Sequence, residues 1–313
     1  MVLYSAGGGS FEEKEGSEFI DNLLQKILKK MYQGLWDGTN ELFKEMNGVL
    51  QNGLGIAKDV ISKNPEEWNG SAYAYIQTVS ENVIVPIAAA FFTFLFCWQL
   101  ISMQKESNRM HQNKPQEILI VLVTLAICLI ACAKSFDIVN GLFSIENWAV
   151  KNMPGGFSAD SGTLTALPLP SSLDTYGFGD VFLMFGNLVL TLLAKIFTYV
   201  IVVAIYIRVN VWYLELLMYM ASAAIPFSTF INKEWGQVGM NYLRKMLAMA
   251  FEGFYMLLAF GMYQAIAGRV LNGFATTPDA YLMAMVTSIG CGVALFMIIS
   301  KAGSISASVF NAH

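Results

Sequence analysis

Residues 211–263 read VWYLELLMYMASAAIPFSTFINKEWGQVGMNYLRKMLAMAFEGFYMLLAFGMY, which is an apolar segment, a polar break and a second apolar segment. Each apolar arm has roughly 20 residues, enough to cross the hydrocarbon core of a bilayer as a helix. Pro226 lies near the end of the first arm and has no backbone N–H for the helical ladder, so a kink or a helix end is predicted there. We therefore expect much of the chain to lie in a lipid bilayer.

The polar break carries residues that are typical of a membrane surface. Trp235 and Tyr242 are amphipathic aromatics of the kind found at headgroup level, and Lys233, Arg244 and Lys245 would face a polar surface. We therefore expect a short interfacial helix that joins two spans.

The composition favours a polytopic membrane protein. Charged residues are 13% of the 313 residues and apolar residues are 55%, whereas soluble domains have about 25% charged residues. The net charge of -4 and the lack of any block of Lys or Arg argue against a direct grip on nucleic-acid phosphates. The predicted fold class is all-α: a polytopic transmembrane helical protein with five or six membrane segments and an amphipathic helical N-terminal region.

The N-terminal region contains no spanning segment. Residues 1–16 include SAGGGS and are expected to be a flexible N-terminus, without the basic and apolar regions of a cleaved signal. Residues 17–82 predict amphipathic helices, two of them separated at Asp37-Gly38, that lie in the membrane interface or cover the protein's own bundle. The run Asn64-Pro65-Glu66-Glu67 supplies a cap, a first-turn proline and acids, so a new helix is predicted to start there.

Residues 83–134 contain the first two predicted membrane segments. The first covers 83–103, and the second covers 118–133 and extends past Lys134 if that side chain snorkels. Residues 135–180 are rich in Gly, Ser, Pro and Asp and predict a long polar loop. The loop is extracytoplasmic in every arrangement with an outside N-terminus, and ligand binding is one use of such a loop.

Residues 181–313 form the predicted membrane core. It has a third span over 181–207, the broken helix at Pro226, the interfacial Trp235 segment, and a last span over 281–300 with a short polar tail. Small residues at four-residue steps in the last span predict a groove for close helix packing: Ala284, Ser288 and Gly292.

The flanking Lys and Arg residues constrain orientation only partly. Their distribution runs against six crossings with an outside N-terminus. The same charge distribution does not distinguish clearly between two other arrangements. These are six crossings with an inside N-terminus, and five crossings in which 181–231 crosses only once.

Three ionisable residues lie inside predicted spans: Lys195, Glu215 and Glu252. A charge at such a position costs at least ~2.5 kcal/mol on insertion scales and is a candidate for function. Three partners are open to Lys195: Glu252 of the same chain, a neighbouring subunit, or a water-filled lumen. The structural alternative is an ion pair that fixes helix register. Glu215 lies four residues into its arm, within reach of the interface.

The sequence contains no signature of an enzyme. There is no GxxxxGK[ST] phosphate loop, and His111 and His313 have no metal-like spacing. Cys128 and Cys132 share a helix face, but no His or carboxylate ligand accompanies them. We therefore expect no catalytic residue, no metal and no cofactor.

Three segments together resemble the TrbL-like conjugal transfer membrane proteins, in the branch found on conjugative elements of Gram-positive bacteria. They are AAIPFSTFINKEWGQVGMNYLRK at 223–245, VIVPIAAAFFTFLFCWQLISM at 83–103 and SVFNAH at 308–313. The resemblance extends over about residues 68–313. These proteins are the polytopic membrane subunits of type IV secretion systems.

The resemblance implies a non-enzymatic, multi-pass subunit of the cytoplasmic membrane. It implies a homo-oligomer that assembles with other type IV secretion subunits, including ATPases and extracytoplasmic channel proteins, and that handles single-stranded DNA with its relaxase as transient cargo. The family topology has an outside N-terminus, an outside central loop and an inside C-terminus, in agreement with five crossings. By the same resemblance, loop 135–180 has a topological role and the Trp235 region an assembly role.

Three functions are consistent with the sequence. The first is a subunit that scaffolds or lines the conjugative channel, and the second is a pure assembly scaffold with no conduit. The third, a secondary transporter of a small solute, is favoured by the break at Pro226 and by Lys195 and Glu252. The long amphipathic N-terminal region and the lack of an internal repeat argue against a transporter.

Overall fold

The structure is a computed structural model that describes residues 9–110, 115–153, 177–274 and 281–312. Within these ranges the chain forms helices and their connections, with no strand. The helices are α1 Gly9–Ile61, α2 Pro65–Trp68, α3 Gly70–Val79, α4 Val85–Met110, α5 Pro115–Ala133, α6 Ser135–Lys151, α7 Phe178–Ala221, α8 Ala224–Ser228, α9 Gly236–Phe274 and α10 Tyr281–Val309. A π-helical turn, Ser80–Ile84, precedes α4, and a 3-10 turn, Thr229–Ile231, follows α8. The predicted all-α class is confirmed.

Four helical stretches of the described chain are long and apolar enough to cross a membrane: Gly70–Lys105, Phe178–Ile231, Gly236–Tyr263 and Met283–Val309. The pair Leu122–Ala133 and Ser135–Lys151 would add a fifth if it counts as one span bent by 73°. The polytopic helical membrane class is therefore confirmed. The candidate spans number four or five, where the sequence predicted five or six segments.

Helix α7 joins two segments that the sequence analysis treated as separate. Its 44 residues include both the predicted third span and most of the first arm of 211–263. No Gly or Pro occurs between 187 and 225, so nothing local ends the helix at Arg208. The helix has about twice the ~20 residues that one crossing needs. Because a continuous helix does not reverse its direction, it favours a single crossing over 181–231.

Helix α1 is also one helix where two were predicted. It begins at Gly9, so the expected flexible N-terminus is helical from that residue, and residues 1–8 lie outside the described part. The helix continues through Asp37-Gly38, because its buried stripe stays in phase across this site. The buried residues are Leu28, Tyr32 and Trp36 before it and Phe43 and Met46 after it. Their burial outweighs the cost of about 1 kcal/mol for a glycine inside a helix.

The region predicted as a polar loop begins with a helix. Residues 135–151 form α6, and Phe136, Val139 and Phe143 are buried on one face of it. The three- and four-residue spacing of these apolar residues is the physical reason for the helix. Helix α5 ends at Ala133, and the chain bends by 73° at Lys134 before α6 begins. The rest of the predicted loop, 154–176, lies outside the described residues.

The predicted break occurs just before Pro226. Helix α7 ends at Ala221, and Pro226 is the third residue of the short helix α8. In the first turn of a helix a missing N–H breaks no internal hydrogen bond, so proline is tolerated there. Trp235 lies in a turn, and α9 begins at Gly236, so the expected short interfacial helix is instead a turn followed by a long helix.

The chain divides into two compact units. Unit 1 comprises Met1–Asn52, Ala159–Val202 and Tyr263–Val293, and unit 2 comprises Gly53–Ser158, Val203–Met262 and Ala294–His313. The core of unit 1 is built from aromatic and aliphatic residues, among them Tyr32, Trp36, Phe43, Met184 and Ala284. Unit 2 contains one cluster around Phe92, Leu95, Cys128 and Ile231 and another around Ala88, Cys132 and Ala224.

Candidate functional site

An ion pair joins α7 and α9 inside unit 2. The guanidinium of Arg208 donates a hydrogen bond from Nη2 to Oε1 of Glu252. The side chain of Glu252 is 6% exposed and that of Arg208 is 23% exposed. Both residues lie within candidate spans, where an unpaired charge is costly, so each stabilises the other in a place where neither would be stable alone.

Helix α10 completes the surroundings of this carboxylate. A Cβ atom added at Gly303 would lie 2.8 Å from Oε2 of Glu252, so a larger residue would have to displace the carboxylate from its place beside Arg208. The hydroxyl of Ser306 donates to the backbone carbonyl of Ala248 at 2.6 Å. Residues 301–309, expected to belong to a polar tail, are thus helical and pack on α9.

A second carboxyl group, that of Glu146 on α6, is buried in the same unit. Glu146 is 2% exposed, and its Oε1 has no hydrogen-bond partner among the described residues. A Cβ atom at Gly253 would lie 2.9 Å from this oxygen and 2.8 Å from Cη2 of Trp212. Glu146 thus contacts α9 at the residue that follows Glu252, whereas the Glu252 carboxylate itself lies against Arg208 of α7 and Gly303 of α10. We call the Arg208–Glu252 ion pair the charged core.

The charged core has further charges within electrostatic range. Glu215 and Lys245 both interact electrostatically with the Glu252 carboxyl. Glu215 is exposed on α7, and Arg244 and Lys245 are half-buried on α9. Three of the sequence-predicted site residues, Glu252, Glu215 and Lys245, are therefore brought into one neighbourhood.

Polar contacts close in sequence to Glu146 hold the end of α1. Asn147, which follows Glu146, donates from Nδ2 to Oδ1 of Asn64. The hydroxyl of Tyr213 donates to the carbonyl of Lys63 at 2.5 Å. Unpaired carbonyls at a helix C-terminus need such donors when they are buried.

The helix start predicted at Asn64 is confirmed, and it packs on α7. The Glu67 carboxylate accepts from the backbone N–H of Asn64 at 3.2 Å, as in a capping box. The Trp68 indole stacks on the Tyr213 ring with centroids 4.9 Å apart, and its Nε1–H donates to Oδ1 of Asn210 at 3.3 Å.

Lys195 has a different partner from the one that the sequence suggested first. Its ammonium group donates to Oε2 of Glu45 on α1, within unit 1. The Lys195 side chain is 21% exposed, whereas that of Glu45 is 51% exposed. Glu252 pairs with Arg208, so pairing with Glu252, one of the three alternatives open to Lys195, is not found, and the two residues belong to separate ion pairs.

The turn around Pro226 and Trp235 is held by specific hydrogen bonds. The Thr229 hydroxyl accepts from the backbone N–H of Gly239 at 3.0 Å, and the Tyr242 hydroxyl donates to the carbonyl of Tyr219 at 2.7 Å. Trp235 is 46% exposed and makes an edge contact with Phe91 of α4. Tyr242 is buried, so its ring packs inside unit 2, and its place at headgroup level stays a prediction.

The small residues of the last span lie where close packing was predicted. Ala284 and Ser288 are buried, and a Cβ atom at Gly292 would lie 3.3 Å from Cδ1 of Ile201 on α7. Close approach of α10 to α7 within unit 1 therefore depends on a small residue at 292.

Thiols and carboxylates form no metal centre in the described part of the chain. There, no three His, Cys, Asp or Glu residues lie together. The thiol of buried Cys132 donates to the carbonyl of Ala224 at 3.4 Å. It therefore acts as a small packing group between α5 and α8.

Sequence reasoning missed Arg208 and Glu146 as site residues. From the sequence, Arg208 is one of the flanking positive charges, and Glu146 falls in the predicted polar loop 135–180. The apolar spacing of 136, 139 and 143 is the signal that would have assigned Glu146 to a buried helix. No local signal identifies Arg208 as the partner of a glutamate 44 residues away.

One family model matches the chain, over residues 50–224, which is more than half of its length. That family is described as TrbL/VirB6 plasmid conjugal transfer like protein. No curated protein and no solved structure matches the chain. The match includes segment 83–103, whereas almost all of 223–245 and the whole of 308–313 lie beyond it.

Proposed function

Since the chain belongs to the TrbL/VirB6 plasmid conjugal transfer-like family, we propose that it scaffolds or lines the cytoplasmic-membrane channel through which a conjugative type IV secretion system passes single-stranded DNA with its relaxase. The chain is a membrane component of a conjugal transfer complex that contains other subunits. Membership of the family is shown by the match, whereas the channel role, the cargo and the location in the cytoplasmic membrane are proposed. The family match carries the proposal.

The intramembrane charges support a structural role, because each is used inside the chain itself. Arg208 is paired with Glu252 and Lys195 with Glu45, so each charge holds two helices of one unit together. Pairs of this kind serve helix register and specificity in several proteins. A helix bundle fixed in this way gives other copies, ATPases and extracytoplasmic channel proteins a stable surface on which to assemble.

The exposed face of α7 is the surface on which to test contact with the cargo. Ile196 and Tyr199 are exposed, whereas Leu216 of the same helix is fully buried. A photoreactive residue is placed at each position, and at Trp235, and cells are irradiated during active conjugation. Attached DNA is then recovered with the protein.

Crosslinks to the transfer strand at Ile196 or Tyr199, with none at Leu216 and none in donors that lack the relaxase, would support a conduit. Protein crosslinks alone, while transfer proceeds, would refute the conduit and leave a scaffold. Deletion of the gene is expected to abolish DNA transfer in both cases. Transfer at the normal frequency without this chain would refute the proposed function altogether.

A further inference from the structure

Unit 1 contains an apolar cleft between α1 and the first turns of α7. Its volume is about 540 Å³, which is within the ~300–1,000 Å³ typical of small-molecule sites. Phe178, Phe182 and Phe185 contribute from α7, and Met31 and Gly34 contribute from α1. Lys30 is the one charged residue among those that line it.

The cleft lies where a membrane span begins. The candidate span Phe178–Ile231 starts at the wall of the cleft. Phe182, Leu183 and Phe185 are exposed there, so the apolar wall continues along the apolar surface of α7. An aliphatic chain is the ligand that walls of this chemistry favour.

The charges on α1 complement an anionic headgroup. Lys26, Lys29 and Lys30 are exposed within five residues, and Lys30 borders the cleft itself. Ile27 and Met31 on the same stretch are also exposed. Basic side chains beside exposed apolar side chains are typical of helices that bind anionic lipids at the membrane interface.

We propose that this cleft binds one anionic phospholipid, with its phosphate at Lys30 and an acyl chain between Met31 and the phenylalanines of α7. The bound lipid ties α1 to the bilayer in which α7 lies. The proposal is independent of the cargo and of the channel role, because it rests on the cleft and its charge alone.

Gly34 provides a way to fill the cleft without a clash. A Cβ atom at Gly34 would meet nothing within 4 Å, so the side chain in Gly34→Leu can occupy the open space. Gly48 of the same helix also has nothing within 4 Å but does not line the cleft. Gly48→Leu therefore controls for the gain in helix propensity. Lys30→Gln tests the charge, and Lys44→Gln, at an exposed site on α1, is its control.

The measurement is binding of phosphatidylglycerol and phosphatidylcholine to the purified full-length protein in detergent, by native mass spectrometry. We expect tighter binding of phosphatidylglycerol and loss of binding in Gly34→Leu. Lys30→Gln should weaken phosphatidylglycerol binding about five-fold, the contribution of one lysine near an anionic surface. Both control variants should bind as the unmodified protein does, and circular dichroism checks the helical fold of each variant.

Three results would overturn the proposal. Equal binding of the two lipids, or lipid binding unchanged in both Gly34→Leu and Lys30→Gln, would show that the cleft recognises no anionic lipid. A dimer that dissociates in Gly34→Leu, with lipid binding unaltered, would assign the cleft to a second copy of the chain.

Discussion

Replacing Glu252 by methionine removes the partner of a charge that lies inside a membrane span. Arg208, 23% exposed, would keep its guanidinium without the carboxylate that accepts its hydrogen bond. Removal of one partner from a buried ion pair costs about 3–5 kcal/mol. The partial exposure of Arg208 places the expected loss at the lower end, about 3 kcal/mol, or roughly two orders of magnitude in the folding equilibrium.

The double variant Arg208→Met with Glu252→Met separates the pair from its parts. Two apolar side chains of similar length leave no unpaired charge, and such replacements are often neutral or stabilising by ~1–4 kcal/mol. Each single variant should therefore be much less stable than the double variant. The coupling energy from the four proteins measures the interaction directly.

Unfolding in mixed micelles of detergent and SDS, followed by tryptophan fluorescence, supplies the four stabilities. Trp212 is a suitable probe, because its indole is buried and its Nε1–H donates to the carbonyl of Met249 at 3.0 Å. Single variants that each lose less than about 1 kcal/mol would refute the reasoning. So would a double variant that loses the sum of the two single losses.

Conjugation frequency in the same four strains tests what the pair is for. Transfer restored in the folded double variant would assign the pair to structure. Transfer absent in a folded and assembled double variant would show that the charges themselves are needed for DNA passage.

Two further predictions concern glycine and charge at the other contacts. Gly303→Val puts side-chain atoms against the Glu252 carboxylate, where a Cβ atom alone would lie at 2.8 Å, and should cost about 1–3 kcal/mol in the same unfolding assay. Gly290→Val on the same helix has nothing within 4 Å of its Cβ and should change stability by far less, so equal losses would contradict the packing argument. Lys195→Glu should lower stability and transfer through repulsion with Glu45, and Lys195→Glu combined with Glu45→Lys should restore both. A double variant no better than the single one would show that this pair contributes nothing.

The continuity of α7 shows why local signals misled at one point. Arg208 and Asn210 interrupt an apolar run, and in a membrane a charge usually marks the end of a span. The interruption disappears once Arg208 is paired with Glu252 and Asn210 accepts from the Trp68 indole. Both partners are distant in sequence, so the residues of α7 show that no Gly or Pro ends it but not what pairs with Arg208 and Asn210 inside it.

Helix α6 shows the opposite case. Its apolar spacing was visible in the local sequence, but the loop-like composition of the whole region 135–180 was given more weight. The Gly- and Pro-rich residues after 153 made the whole of 135–180 resemble a loop. Phe136, Val139 and Phe143 nevertheless repeat at helical spacing, and they are buried in the structure. The Gly- and Pro-rich composition of 135–180 as a whole outweighed the helical periodicity of its first part, 135–151.

The sequence by itself determined the class of this protein: all-helical, membrane-spanning, with a capped helix start at Asn64 and a break just before Pro226. These features follow from composition, run length, periodicity and backbone chemistry, which act on neighbouring residues. Only the tertiary structure decided that Arg208 meets Glu252, that Lys195 meets Glu45, and that Gly303 makes room for a carboxylate. The physical reason is that a buried charge needs a partner but does not specify which one, since the choice depends on how helices far apart in sequence pack together.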